Sequence, residues 1–151
     1  MSVGVLLMTH ESMGAALVSA ARHVLGKLPL PLNVIELDAG ADPDATLSVA
    51  AREARALDHG DGVLVLTDLY GATPCNVALR VADGSRVRVV AGVNVPMLWR
   101  VLCYAAEPLE SLITRAVSGG AQGVMQVAVS RPQNQTAKTG NDDQVQHQHQ
   151  Q

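Results

Sequence analysis

The sequence predicts an α/β domain built on an open, mainly parallel sheet with helices on both faces, a three-layer sandwich. Three observations carry this. Short apolar runs of strand length alternate with segments whose apolar residues recur at helical spacing; the runs are hydrophobic throughout, as in strands covered on both sides; and each is followed by a polar stretch containing helix-start residues. Parallel strands need crossover connections, and a series of strand–helix units supplies them.

The first run, Val3 to Met8, gives way to Thr9-His10-Glu11-Ser12. Met13, Ala16, Leu17, Ala20, Ala21, Val24 and Leu25 then mark a helix, with Ser12 as N-cap and Gly26 as stop. Leu32 to Leu37 is a second strand. Asp42-Pro43-Asp44 opens a second helix, whose apolar face is Leu47, Ala50, Ala51, Ala54 and Leu57 and which ends before Gly60. Val63 to Leu66, the most hydrophobic strand, runs into Thr67-Asp68. Thr73-Pro74 reads as an N-cap followed by Pro at the first helical position, opening a helix that ends near Val81. Val87 to Ala91 is a fourth strand, Asn94 to Ala105 and Pro108 to Val117 read as helices, and Gly123 to Val129 closes the domain as a fifth strand.

The composition changes after Ser130. Of the last 21 residues only Ala137 and Val145 are apolar, so Arg131 to Gln151 is expected to be a disordered, Gln-rich tail beyond a domain of residues 1–130. Its charges cancel, which leaves the net charge of −3 on the domain. That acidity, and an aromatic content of 2% with no Phe, argue against a nucleic-acid binder, which needs cations for phosphates and rings for bases. No Lys or Arg precedes His10 to form the basic start of a signal peptide, and no stretch approaches the roughly 18 apolar residues of a membrane span. Cys75 and Cys103 read as small buried hydrophobes of a reduced, cytoplasmic protein. Trp99 reads as a packed anchor, and His23 and His59 as surface or capping residues. Neither a nucleotide-binding Gly-rich fingerprint nor metal-ligand spacing is present, so no cofactor and no metal are expected.

In an open parallel sheet, ligands bind beyond the carboxyl ends of the strands. Those ends carry Thr9-His10-Glu11-Ser12, Asp68-Leu69-Tyr70-Gly71-Ala72-Thr73 and Gly92-Val93-Asn94. If the first and third strands are neighbours, the Asp68 carboxylate reaches the His10 imidazole, fixes its tautomer and leaves the other ring nitrogen with its lone pair outward. Helix N-termini after Ser12 and Thr73, the two hydroxyls and the permissive Gly71 would favour a phosphoryl group. Each residue also has a plain reading: His10 as a loop residue, Asp68 in an Asx-turn, Thr73 as a helix cap.

Three blocks carry a more specific likeness: Gly4-Val-Leu-Leu-Met-Thr-His10, Leu57-Asp-His-Gly-Asp-Gly-Val-Leu-Val-Leu-Thr-Asp-Leu-Tyr-Gly-Ala-Thr-Pro-Cys-Asn76 and Val89-Val-Ala-Gly-Val-Asn-Val-Pro-Met-Leu98. Together they resemble the mannose-family enzyme IIA domain of the bacterial phosphoenolpyruvate-dependent sugar phosphotransferase system. The resemblance implies a sheet of order 2-1-3-4 with a further antiparallel strand, and a homodimer able to exchange that last strand, here Gly123 to Val129. It implies a phosphotransferase in which His10 accepts a phosphoryl group from the phosphocarrier HPr and passes it to a IIB protein serving a membrane IIC/IID permease. Asp68 would orient His10 and Thr73 would bond the phosphoryl oxygens. Ser12, Gly71 and Asn94 would line the phosphoryl site, and Met13, Leu69, Tyr70 and Met97 would supply apolar partner contacts. Such a protein is expected in the cytoplasm or at the inner face of the membrane. Members often have Gly after the active His, where this chain has Glu11-Ser12. No IIB domain is attached, so a free-standing regulatory module, reporting its phosphorylation state to another protein, is the alternative. A third reading resembles the phosphotransfer subunit that feeds dihydroxyacetone kinase, which the Gly71-Ala-Thr-Pro74 block suits less well.

Overall fold

The computed structural model describes residues 2–130. Nine elements follow in the order β1 (Gly4–His10), α1 (Met13–Leu25), β2 (Leu32–Leu37), α2 (Pro43–Leu57), β3 (Val63–Thr67), α3 (Thr73–Val81), β4 (Val87–Ala91), α4 (Val95–Cys103) and α5 (Leu109–Gln122). The strands form one parallel sheet of order β2-β1-β3-β4. The crossovers leaving the adjacent strands β1 and β3, α1 and α3, go to opposite faces of the sheet, so the switch point lies at the carboxyl ends of these two strands.

Alternation along the strands divides the core into two layers. Val3, Val5 and Leu7 with Leu64 and Leu66 pack against α1, α4 and α5, while Leu6 and Met8 with Val63 and Val65 pack against α2 and α3. β1 is buried over Gly4 to Thr9, as a central strand covered on both faces must be.

Several boundaries differ from the sequence reading for identifiable reasons. β1 continues through Thr9 and His10 because both still pair with β2, opposite Glu36 and Leu37. α5 runs on to Gln122, past the expected end at Val117 and through Gly119-Gly120. Those glycines admit α4: a Cβ on Gly119 would lie 2.7 Å from Arg100 Cβ, and one on Gly120 would lie 2.8 Å from Met97 Cε. Asp42 caps α2 as expected, its carboxylate accepting from the Asp44 N–H at 3.2 Å.

The expected fifth strand does not form. Residues 124–130 take no regular structure, and Val124, Met125, Val127 and Val129 are exposed. An extra strand needs a sheet edge to pair with, and within the single chain this segment leaves α5 without reaching β2 or β4. The expected tail, Arg131 to Gln151, lies outside the described residues.

Candidate functional site

His10 and Asp68 meet at the switch point. In the row of alternate β1 side chains, His10 continues Leu6 and Met8 on the α2/α3 side of the sheet. Asp68 directly follows β3, the neighbour of β1. Its Oδ2 accepts from the His10 main-chain N–H at 2.9 Å and contacts the ring Nδ1 at 2.8 Å. The Asp68 side chain is 6% exposed, whereas the His10 side chain is 51% exposed.

These contacts set the electrostatics. Burial pushes the Asp68 carboxyl upward, but the main-chain and ring hydrogen bonds from His10, with the charge of the imidazolium, outweigh it and hold the carboxyl below its ordinary value. An ionised Asp68 accepts from Nδ1–H, so the neutral imidazole carries its free lone pair on Nε2. Asp68 Oδ1 and the adjacent Thr67 Oγ1 are buried without a hydrogen-bond partner among the described residues.

The two helix N-termini expected to attract an anion are not equivalent. α1 begins after Ser12, but the Ser12 side chain makes no cap. Glu36 closes that end instead, its Oε2 accepting from the Ala15 N–H at 2.7 Å. Glu36 lies opposite Thr9 in the sheet, and the Thr9 and Glu36 side chains pack around Gly14, so this contact is on the α1 side, away from the row of His10. The sequence reading missed Glu36. The available signal was a carboxylate near the end of an otherwise apolar strand, where an open helix terminus is a ready partner.

α3 remains open. Its N-cap is Ala72, with no side-chain cap, so Thr73 is the first helical residue and not the cap expected from sequence. The Thr73 side chain is exposed and, among the described residues, makes no hydrogen bond; Pro74 falls at the second helical position, one later than the pattern suggested. With Pro74 lacking an N–H, the Thr73 and Cys75 main-chain N–H groups are the donors of the first turn. Gly71 supplies the left-handed turn (φ 89°) that brings the chain from Asp68 into this helix.

The remaining expected residues divide. Met13, Leu69 (60% exposed) and Tyr70 (79% exposed) lie at the surface. Met97 does not; it is 4% exposed because it falls on the core face of α4, against α5. Asn94 is occupied as the α4 cap: its Oδ1 accepts from the Met97 N–H at 2.9 Å and its Nδ2 donates to the Gly120 carbonyl at 3.2 Å. Cys75 is buried as expected, but Cys103 is exposed at the end of α4, and Trp99 is only half-buried on the outer side of that helix. His23 and His59 are exposed. Among the described residues no group of three or more His, Cys, Asp or Glu could hold a metal ion, and no helix is long and apolar enough to cross a membrane.

Comparison with known proteins bears on this arrangement. Residues 4–117 match the family model described as PTS system fructose IIA component, EIIA-man. The chain is 30% identical over 127 residues to the PTS system mannose-specific EIIAB component of Escherichia coli (strain K12), covering 82% of this chain and 39% of that protein. It thus spans about two fifths of the curated relatives it matches. The mannose/sorbose specific IIA subunit of the phosphotransferase system from Enterococcus faecalis superposes with a TM-score of 0.76 at 27% identity, over 87% of this chain and 99% of that one. The phosphotransferase system component EIIA from Streptococcus agalactiae shares the fold, with a TM-score of 0.72 at 21% identity over 82% of this chain and 96% of that one.

Proposed function

Since the chain belongs to the mannose-type enzyme IIA family of the sugar phosphotransferase system, whose members are phosphotransferase-type carriers in sugar transport, we propose that His10 is its phosphoryl-carrying residue. The observation that carries this reading is the held ring: Nδ1 lies against Asp68 and Nε2 is left outward on a half-exposed side chain.

The donor is HPr phosphorylated on histidine. The Nε2 lone pair attacks phosphorus in line; the P–N bond to the donor ring breaks as the bond to Nε2 forms, and the donor imidazole leaves with the electron pair. Asp68 keeps the proton on Nδ1 and offsets the positive charge that the ring gains. Transfer of this kind asks little covalent chemistry of the protein beyond the nucleophile, so position and electrostatics supply the effect. The Thr73 hydroxyl and the open N–H groups of α3 are the donors suited to the phosphoryl oxygens. Ser12 and Gly71 lie in the turns that follow His10 and Asp68, and the exposed Met13, Leu69 and Tyr70 offer the apolar contact for the partner. The reverse sequence of bonds delivers the group to a IIB protein, and through it to a membrane permease, from a cytoplasmic location. The exposed apolar segment at 124–129 and the free edges of β2 and β4 support a homodimer in which this segment is exchanged.

Incubation with phosphoenolpyruvate, enzyme I and HPr tests the reading. The chain is expected to take up one acid-labile phosphoryl group, and His10→Ala to take up none. Undiminished labelling of that variant would overturn it.

A further inference from the structure

We propose that the groove between α2 and α3, at the end of the sheet remote from His10, binds a small apolar molecule carrying a single carboxylate. The inference is independent of the carrier reading of His10.

The groove has a volume of about 460 Å³, within the usual size of a ligand site. Its floor is apolar: Leu47, Ala51 and Ala54 come from α2, Val81 ends α3 and Val87 begins β4. Leu47, Val81 and Val87 pack against the core layer formed with Leu6, Val63 and Val65, so the floor is the outer surface of that layer. The two alanines provide the room, which a larger side chain at either position would fill. Val87 pairs with Val63 at the start of β3, whereas His10 ends β1. The groove therefore lies at the amino edge of the sheet and His10 at the carboxyl edge.

Arginine outnumbers acid around this floor. Arg55, Arg80 and Arg86 line the groove with Asp58 and Asp83, an excess of one positive charge. Arg86 is committed, with Nε and Nη2 donating to the two Asp58 oxygens at 2.9 and 2.6 Å. Asp83 is committed to the main-chain N–H groups of Ser85, Arg86 and Val87. These bonds fix two walls of the groove. Arg80 holds Asp44 by a single contact of 3.1 Å, to a carboxylate that is 82% exposed and outside the groove, so releasing it costs little. Arg55, exposed on α2, makes no hydrogen bond or ion pair among the described residues.

An apolar floor selects a hydrocarbon body, and an available guanidinium beside it selects a carboxylate, which its planar fork binds through two hydrogen bonds. One surplus cation matches one negative charge. A dianion such as a phosphate monoester leaves a charge unmatched near Asp58 and Asp83, and a neutral alcohol leaves Arg55 without a partner.

Octanoate, titrated into the full chain and followed by NMR, tests the proposal. Saturable shifts centred on the methyl groups of Ala51, Ala54, Val81 and Val87 are expected. Arg55→Gln is expected to weaken binding about three- to ten-fold, and octanol to bind wild type more weakly than octanoate by a similar factor. Ala51→Leu is expected to abolish binding by filling the groove, with cooperative thermal unfolding showing that the variant folds; Arg55→Gln changes an exposed side chain and tests the site without disturbing the core. His10→Ala is expected to bind octanoate as wild type does. Shifts that do not saturate or that spread over the surface, octanol bound as tightly as octanoate, full affinity in Arg55→Gln, or loss of binding in His10→Ala overturns the inference.

Discussion

A single carboxylate oxygen, Asp68 Oδ2, holds His10 twice, through the main-chain N–H at 2.9 Å and the ring Nδ1 at 2.8 Å. The end of β1 and the direction of the imidazole are therefore set by the same group. Asp68→Asn keeps an oxygen able to accept both bonds but removes the charge that stabilises a cationic ring. Transfer to His10 should slow by about 10- to 100-fold, while stability at neutral pH changes by about 1 kcal/mol. Rapid-quench transfer assays and denaturant titration measure the two effects; an unchanged transfer rate removes Asp68 from the proposed mechanism.

Thr73 separates a capping role from a phosphoryl role. Because its side chain caps nothing, Thr73→Val should leave stability within about 0.5 kcal/mol of wild type. The same change should slow phosphoryl transfer several-fold, and Thr73→Ser should restore it. A loss of about 1 kcal/mol on Thr73→Val, seen in thermal unfolding, would instead mark the residue as a cap.

The helix pair α4/α5 predicts an order of sensitivity. A methyl on Gly119 meets Arg100 Cβ, which cannot move without the helix, whereas a methyl on Gly120 meets the mobile end of Met97. Gly119→Ala should therefore destabilise by about 1–3 kcal/mol, and Gly120→Ala by less than about 1 kcal/mol after the gain in helix propensity. Chemical denaturation that reverses this order contradicts the packing.

Acid unfolding should depend on Asp58. Arg86 bonds both of its oxygens, and the Gly60 and Gly62 N–H groups donate to it. The Arg86 hydrogen bond is the largest cause that lowers its pKa to about 2. A carboxyl depressed in the folded state stabilises above its unfolded pKa and loses that contribution as pH falls. Wild type should lose about 1–2 kcal/mol from this group between about pH 4 and pH 2, after discounting for the exposed side of Arg86. In Asp58→Asn that part of the pH dependence should be missing and neutral stability lower, which stability titrations at several pH values will show.

A chain ending at Gln122 tests the proposed strand exchange. It should sediment as a monomer at concentrations where the full chain is a dimer. A dimer that survives the truncation excludes the exposed segment at 124–129 as its basis.

The layered sheet was legible because its strands are apolar runs and its crossovers follow at helical period, with Asp42-Pro43 acting as the helix start its residue types suggest. The His10–Asp68 contact was also legible, once β1 and β3 were taken as neighbours. What the sequence obscured depends on tertiary context. Glu36 reaches α1 from another strand, a pairing that local pattern does not contain. Met97 lies at the start of a short helix where one residue of phase decides between surface and core. α5 passes its expected end at Val117 because Gly119 and Gly120, poor helix formers, are a contact surface for α4. The apolar alternation at 124–129 has the composition of a strand, but pairing needs an edge that the single chain does not bring to it.

A half-exposed ring held at Nδ1 leaves a single nitrogen, Nε2, for exchange with any partner. On the proposed carrier reading, whatever loads Nε2 and whatever unloads it use the same landing point and the same line of approach, so the two are expected not to be bound together. On that reading turnover is expected to proceed by alternate visits, with parallel lines in double-reciprocal plots at low partner concentrations and competitive inhibition of each partner by the other at high ones.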